Sequence, residues 1–161
     1  MSENCNKKPL IGRDLPQLRQ IVAGLGLPGY AATQIAQWLY EKRVTDIEQM
    51  TNLSKQARKR LAEEYCVGLM PPLMKAESTD GTIKYLFEGC GRRDIEAVYI
   101  PDRERATLCV SSQAGCKMGC KFCMTGKQGF TANLTSNQII NQINSLPERD
   151  RSACPSIWAR S

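Results

Sequence analysis

The sequence predicts an α/β protein, because its hydrophobic pattern changes from helical to strand-like along the chain and then becomes helical again. Residues 1–74 carry apolar side chains at spacings of three and four, the periodicity of packed helices. Residues 82–111 alternate apolar and polar side chains, as half-buried strands do. We expect three segments: a small helical domain over 1–74, a sheet-containing segment over 75–150 and a tail over 151–161.

Three helices are predicted in the first segment. Asp14 opens the first, which Gly26 and Pro28 close, and Thr33 is the expected cap of the second. The third extends from Ser54 to Tyr65. The second helix is expected to bury one stripe of side chains: Ile35, Ala36, Trp38, Leu39 and Tyr40.

The third predicted helix carries a basic cluster, Lys55, Arg58, Lys59 and Arg60. The whole chain has 22 Lys and Arg against 16 Asp and Glu, a net charge of +6. Such a cluster either contacts an RNA backbone or forms a solvated helix face, and the sequence leaves both interpretations open.

Strands are predicted after a boundary at Pro71–Pro72. The segments 82–88 and 95–100 form a hairpin across the turn 89–94, and 106–111 adds a third strand.

The last helix is predicted over 134–146, with Thr135 as its cap and Ile139, Ile140 and Ile143 on one face. Only one strand and one helix are recognised after residue 106, so we expect an open sheet edge there.

The composition excludes several classes of function. The chain has no histidine, so a Ser-His-Asp triad, a Cys-His pair and His-ligated zinc or haem are ruled out. No apolar run of membrane-spanning length and no secretory signal are found, so a cytoplasmic protein without membrane contact is expected. The eight cysteines of a chain in such a reducing compartment indicate metal ligands rather than disulfides.

Cys116, Cys120 and Cys123 form a C-x3-C-x2-C loop between a strand and a helix. Three thiolates without a fourth ligand suit a four-iron cluster that keeps one iron open for a substrate. Two alternatives remain at this point: zinc completed by Cys109 or Cys90, and three thiols without metal.

The cysteine loop resembles that of the radical S-adenosylmethionine superfamily, including the aromatic Phe122 between the last two cysteines. One branch of it, the dual-specificity RNA methyltransferases that methylate carbon 2 of adenine in 23S rRNA and tRNA, is similar to this chain over several wider stretches: 27–30, 34–40, 50–54, 80–87, 99–101, 105–130 and 133–135. The resemblance covers roughly residues 10 to 150 and implies the incomplete start of a (β/α) barrel after the helical domain and hairpin.

The resemblance implies roles for individual residues. Cys116, Cys120 and Cys123 correspond to the ligands of a [4Fe-4S] cluster that binds S-adenosylmethionine. Glu96 corresponds to the proton acceptor and Cys109 to a cysteine near the active site. By periodicity alone, Glu96 reads as an outward-facing strand residue and Cys109 as a small core residue.

The family reaction explains why a cluster is needed. An adenine carbon is a poor nucleophile, so the family uses radical chemistry, an external electron donor and a methyl-carrying cysteine near the carboxy terminus of the full-length enzymes.

The family pattern is lost after residue 150, where this chain reads Arg151-Ser-Ala-Cys-Pro-Ser-Ile-Trp-Ala-Arg-Ser. The expectation is a carboxy-terminally truncated and inactive form, produced by a frameshift or an early stop, which resequencing would test. The alternative function is a non-catalytic RNA-binding helical domain with a vestigial iron–sulfur or zinc loop.

Overall fold

The computed structural model describes residues 7–89, 93–103 and 105–147, and the backbone of 156–160. The chain divides into two units, Met1–Leu69 and Met70–Ser161. Two cysteines named above, Cys90 and Cys154, lie outside the described residues, as does the centre of the turn 89–94.

The first unit begins with a two-residue strand, β1 (Lys8–Pro9), which pairs in parallel with β2 (Tyr65–Cys66). Helix α1 (Leu15–Gly24) starts where predicted, because Asp14 and Gln17 form a capping box. The Gln17 amide donates to Asp14 Oδ1 at 2.8 Å.

The second helix starts earlier than predicted. Helix α2 (Tyr30–Ala36) follows Gly29, so the expectation that Thr33 caps it is wrong: Thr33 lies within the helix. A π-helical turn, Gln37–Glu41, continues it and rotates the last predicted apolar positions. Tyr40 is therefore exposed, whereas Leu39 is buried.

A 3₁₀ turn (Ile47–Gln49) leads to helix α3 (Lys55–Glu64), which is capped by Ser54, the residue at which the helix was predicted to begin. The Ser54 hydroxyl accepts a hydrogen bond from the Ala57 amide at 3.1 Å. The helices share one core, whose fully buried members include Leu10, Leu18, Ile35, Met50 and Leu61.

The second unit is built on a five-stranded sheet in the order β3-β4-β5-β6-β9. Its strands are β3 (Met74–Glu77), β4 (Ile83–Phe87), β5 (Ile95–Asp102), β6 (Arg105–Ser111) and β9 (Ser156–Arg160). Strands β3 to β6 pair antiparallel in sequence order, which confirms the hairpin and the third strand. Strand β3 was not predicted, because all four of its residues are exposed and show no alternation.

The expectation of an open sheet edge at β6 is wrong. Strand β9 pairs with β6 in parallel, with Cys109 opposite Trp158 in the register. Strand β9 is itself the edge strand of this sheet.

Two short strands, β7 (Gln113–Ala114) and β8 (Ala132–Asn133), enclose a four-residue helix, α4 (Met124–Lys127). Helix α5 (Ser136–Asn144) follows, and Thr135 forms the predicted cap with Gln138.

Helix α5 contributes the partly buried Ile139 and Ile143 to the core beneath the sheet, and the buried Leu134 and Leu146 lie just before and after the helix. Its most deeply buried side chains, however, are polar: Asn141, Gln142 and Asn144. No helix among the described residues is long and apolar enough to cross a membrane.

Candidate active site

Glu96 and Cys109 lie on the same face of the sheet, opposite its apolar core. Strand β5 alternates so that Ile95 and Ala97 are buried and Glu96 is exposed. Val98 pairs with Cys109 in the register, which places Cys109 beside Glu96 on this face. Both residues line one pocket, whose wall is completed by Val98, Ser111, Gln113, Gly115 and Thr125.

The surroundings of Glu96 are polar and open to solvent. Its side chain is 54% exposed, and Oε1 lies 3.1 Å from Lys84 Nζ on the neighbouring strand. The hydroxyl of Ser111 donates to the main-chain oxygen of Glu96 at 2.8 Å. The Glu96 carboxylate is therefore accessible both to solvent and to a molecule in the pocket.

The two ends of the cysteine loop are held together beside the pocket. Strand β7 pairs antiparallel with β8, and Gln113 Nε2 donates to Asn133 Oδ1 at 2.9 Å. Arg93 donates to the main-chain oxygens of Gln128 and Gly129. The residues between are therefore held as a closed loop.

Two glycines make the loop tight. Gly115 has φ +79°, and a Cβ there would lie 1.8 Å from the main-chain oxygen of Gly129. Gly126 is buried, and its Cβ would lie 2.9 Å from the amide nitrogen of Cys120. Only glycine allows these two backbone approaches.

The three loop cysteines are half-buried and form no disulfide. Cys116 Sγ accepts a hydrogen bond from the Met118 amide at 3.4 Å, while the Cys123 amide donates to the Cys120 oxygen and Cys123 precedes α4. Among the described residues, no three Cys, Asp or Glu side chains are gathered in an arrangement that would hold a metal ion.

The outer surface of the loop is apolar. Met118, Phe122 and Met124 are 79%, 92% and 68% exposed. Such a group of exposed apolar side chains is typical of a surface that contacts another molecule.

The donor set fits an iron–sulfur cluster, although the sulfur atoms are not assembled into a ligand group in this structure. Three thiols on a loop of eight residues match the soft ligands that such clusters require. The close backbone approaches at Gly115 and Gly126 keep this loop compact.

Comparisons with known proteins agree with this geometry. Residues 8–67 match the family described as the ribosomal RNA large subunit methyltransferase N-terminal domain. A protein of Bacteroides fragilis named probable dual-specificity RNA methyltransferase RlmN is 59% identical over 145 residues, which are 90% of this chain and 42% of that protein. Over 90% of its length, the chain is similar to a probable dual-specificity RNA methyltransferase RlmN.

More distant relatives show the same similarity. The dual-specificity RNA methyltransferase RlmN of Halorhodospira halophila is 45% identical over 84% of this chain and 38% of its own length. The crystal structure of a radical SAM methyltransferase from Sphaerobacter thermophilus superposes with a TM-score of 0.77 and 36% identity, covering 89% of this chain and 42% of that one. The α/β fold class, with the start of a radical SAM barrel, is therefore confirmed. The chain spans about 42% of the length of the curated RlmN relatives it matches.

Sequence reasoning missed part of the pocket wall. Ser111 follows Cys109 by two residues and therefore shares its face of β6, a signal that the strand pattern contained. Thr125 reaches the pocket from α4, and no periodicity in the loop indicates this.

Proposed function

We propose that this chain supplies the cluster loop and the proton acceptor of a radical SAM RNA methyltransferase that methylates carbon 2 of an adenine in 23S rRNA and tRNA. One observation carries the proposal: the pocket brings Glu96 and Cys109 together with Gly115 and Thr125 of the cysteine loop. A radical methyltransferase needs its proton acceptor close to its cluster, because both act on one substrate carbon.

The proposed roles follow from the chemistry of each side chain. Cys116, Cys120 and Cys123 would hold a [4Fe-4S] cluster, which, when bound, supplies the electron for cleavage of S-adenosylmethionine. Glu96 would accept the proton of the adenine ring carbon, with Lys84 holding its carboxylate. Cys109 would lie beside the reacting carbon. An external electron donor is the further partner that this chemistry requires.

A chimera tests the proposed reaction directly. Residues 8–147 would replace the matching segment of the Bacteroides fragilis relative, which is 59% identical there. The purified chimera, reconstituted with iron and sulfide, is expected to methylate adenine at carbon 2 in both RNA classes, as read by mass spectrometry of RNA digests. The absence of methylation by a chimera that holds a full cluster would contradict the proposal.

Variants of the chimera test the role of Glu96. Glu96→Gln is expected to lower turnover by about 100-fold or more, the usual contribution of a general base. Glu88→Gln removes another exposed carboxylate close by in the chain and is expected to leave turnover within about twofold, since Glu88 does not line the pocket. Equal losses in the two variants would exclude a proton-acceptor role for Glu96.

The polypeptide of 161 residues by itself is expected not to methylate RNA, because it spans 42% of its relatives' length. Methylation by this polypeptide alone in an anaerobic assay would overturn that expectation.

We also propose that the segment 1–74 contacts RNA through helix α3. Lys55 and Lys59 are exposed there, whereas Arg58 is ion-paired with Glu48 at 3.3 Å. The slope of log affinity for RNA against log salt concentration is expected to be shallower by about one to two in the Lys55→Gln/Lys59→Gln chain, because each phosphate that a lysine neutralises contributes to that slope. Lys75, which is exposed on β3, provides the control variant Lys75→Gln. Equal salt slopes in the unmodified chain, the double variant and the control would exclude contact through α3.

A further inference from the structure

A glutamine on α5 clamps the end of a strand that lines the pocket. Gln142 is completely buried, and its Oε1 accepts a hydrogen bond from the Ser111 amide at 2.8 Å. Its Nε2 donates to the Ser111 main-chain oxygen at 2.8 Å and to Gln138 O at 3.2 Å. Burying an amide in an apolar core is unfavourable unless both of its ends are satisfied, and here both are.

The clamped residue connects helix α5 to the pocket. Ser111 is the last residue of β6 and lies in the pocket wall. Its hydroxyl donates to the Glu96 main-chain oxygen at 2.8 Å. A continuous path of hydrogen bonds therefore extends from Gln142 through Ser111 to the backbone of Glu96.

We propose that Gln142 is a positioning residue for the pocket. By holding Ser111, it fixes the position of the pocket wall that contains Cys109 relative to Glu96 and to the start of the cysteine loop. The catalytic meaning of this role rests on the proposed function. An apolar residue would satisfy packing at this position, so the two-point contact with Ser111 is what the glutamine adds.

The same helix offers a matched control. Asn141 is buried and makes the same two-point contact with a different residue: its Oδ1 accepts from the Met70 amide at 2.7 Å, and its Nδ2 donates to Met70 O at 2.9 Å. Met70 does not line the pocket. Gln142→Met and Asn141→Leu are near-isosteric, and each removes three hydrogen bonds of a buried amide, so they are expected to lower the melting temperature to a similar degree.

The experiment measures the pocket without iron, S-adenosylmethionine or RNA. The 161-residue chain is alkylated with iodoacetamide, and the rate at each cysteine is read by mass spectrometry of peptides. Gln142→Met is expected to raise the rate at half-buried Cys109 by about fivefold or more, because the released wall admits the reagent. Amide resonances of Glu96 and Cys109 are expected to move in the same variant.

The control separates positioning from general destabilisation. Asn141→Leu is expected to leave the Cys109 rate within about twofold and both amide resonances in place, while Cys66 in the first unit is unchanged in either variant. The proposal is overturned if the alkylation rate at Cys109 is unchanged in Gln142→Met, or if it changes as much in Asn141→Leu.

A second variant keeps the proposal testable if Gln142→Met does not fold. Ser111→Ala retains the main-chain clamp and removes only the hydroxyl that reaches Glu96. It is expected to move the Glu96 amide resonance and to raise the Cys109 rate by about twofold or more; a chain indistinguishable from the unmodified one would overturn the path through Ser111. Because no readout requires a cluster, failure of this proposal is distinguishable from failure of the proposed reaction.

Discussion

Lys84 holds the carboxylate of Glu96 across strands β4 and β5, with Nζ 3.1 Å from Oε1. The two residues are diagonal neighbours in the ladder, since Lys84 pairs with Val98 and Glu96 with Leu86. Both side chains are about half exposed, so the ion pair orients a carboxylate that solvent and a substrate still reach.

Loss of this ion pair is expected to have little effect on stability. Exposed pairs contribute at most about 1 kcal/mol, because water screens them and ordering two long side chains costs entropy. Lys84→Met is therefore expected to change the free energy of unfolding by less than about 1 kcal/mol in urea titrations. A loss of about 3 kcal/mol would show that the pair is structural and would weaken its assignment to the pocket.

Alanine at Gly115 is expected to be much more harmful than alanine at Gly119. Both glycines have positive φ, +79° and +60°, which costs alanine roughly 1–2 kcal/mol. Only at Gly115 does the added Cβ meet backbone, the oxygen of Gly129 at 1.8 Å; at Gly119 nothing lies within 4 Å. Urea unfolding should show a loss for Gly115→Ala that exceeds that of Gly119→Ala by about 1 kcal/mol or more. Equal losses would mean that the loop does not close at this point.

The turn between β3 and β4 is expected to weaken in acid. The amide and hydroxyl of Thr82 both donate to Asp80 at 3.0 Å and hold the pKa of that carboxyl below its ordinary value of 3.8. Because the folded pKa is the lower one, the charged form stabilises the fold above pH 3.8, and this stabilisation is lost as pH falls through the folded value.

Asp80→Asn provides the comparison. The difference in unfolding free energy between the two chains should be constant above about pH 5 and should shrink below the ordinary pKa of the carboxyl. A difference that stays constant down to about pH 2 would contradict the turn geometry.

The sequence was sufficient to predict the elements that are specified by residues close together in the chain. Asp14, Ser54 and Thr135 cap their helices because a short polar side chain reaches the free amides of the first turn, a property independent of tertiary contacts. The alternation in β5 likewise predicted that Glu96 faces outward. By periodicity alone Cys109 was a small core residue, whereas the register places it half-buried on the face that Glu96 occupies.

What the sequence did not reveal depends on tertiary partners. A glutamine on a helix normally indicates a solvated face, and the burial of Gln142 is explained only by Ser111, 31 residues away. The edge strand β3 is exposed along its length and carries no periodic signal. The π-helical turn after α2 also exposed Tyr40, which a regular helix would have placed in the predicted stripe.

Metal and sulfide analysis of the 161-residue chain, reconstituted without oxygen, tests the central claim most directly, namely that the cysteine loop holds an iron–sulfur cluster. The account predicts about four irons and four sulfides per chain, and loss of both in a Cys116→Ser/Cys120→Ser/Cys123→Ser variant but not in Cys66→Ser, which alters a cysteine of the first unit. One zinc without sulfide, or iron retained by the triple variant, would contradict it.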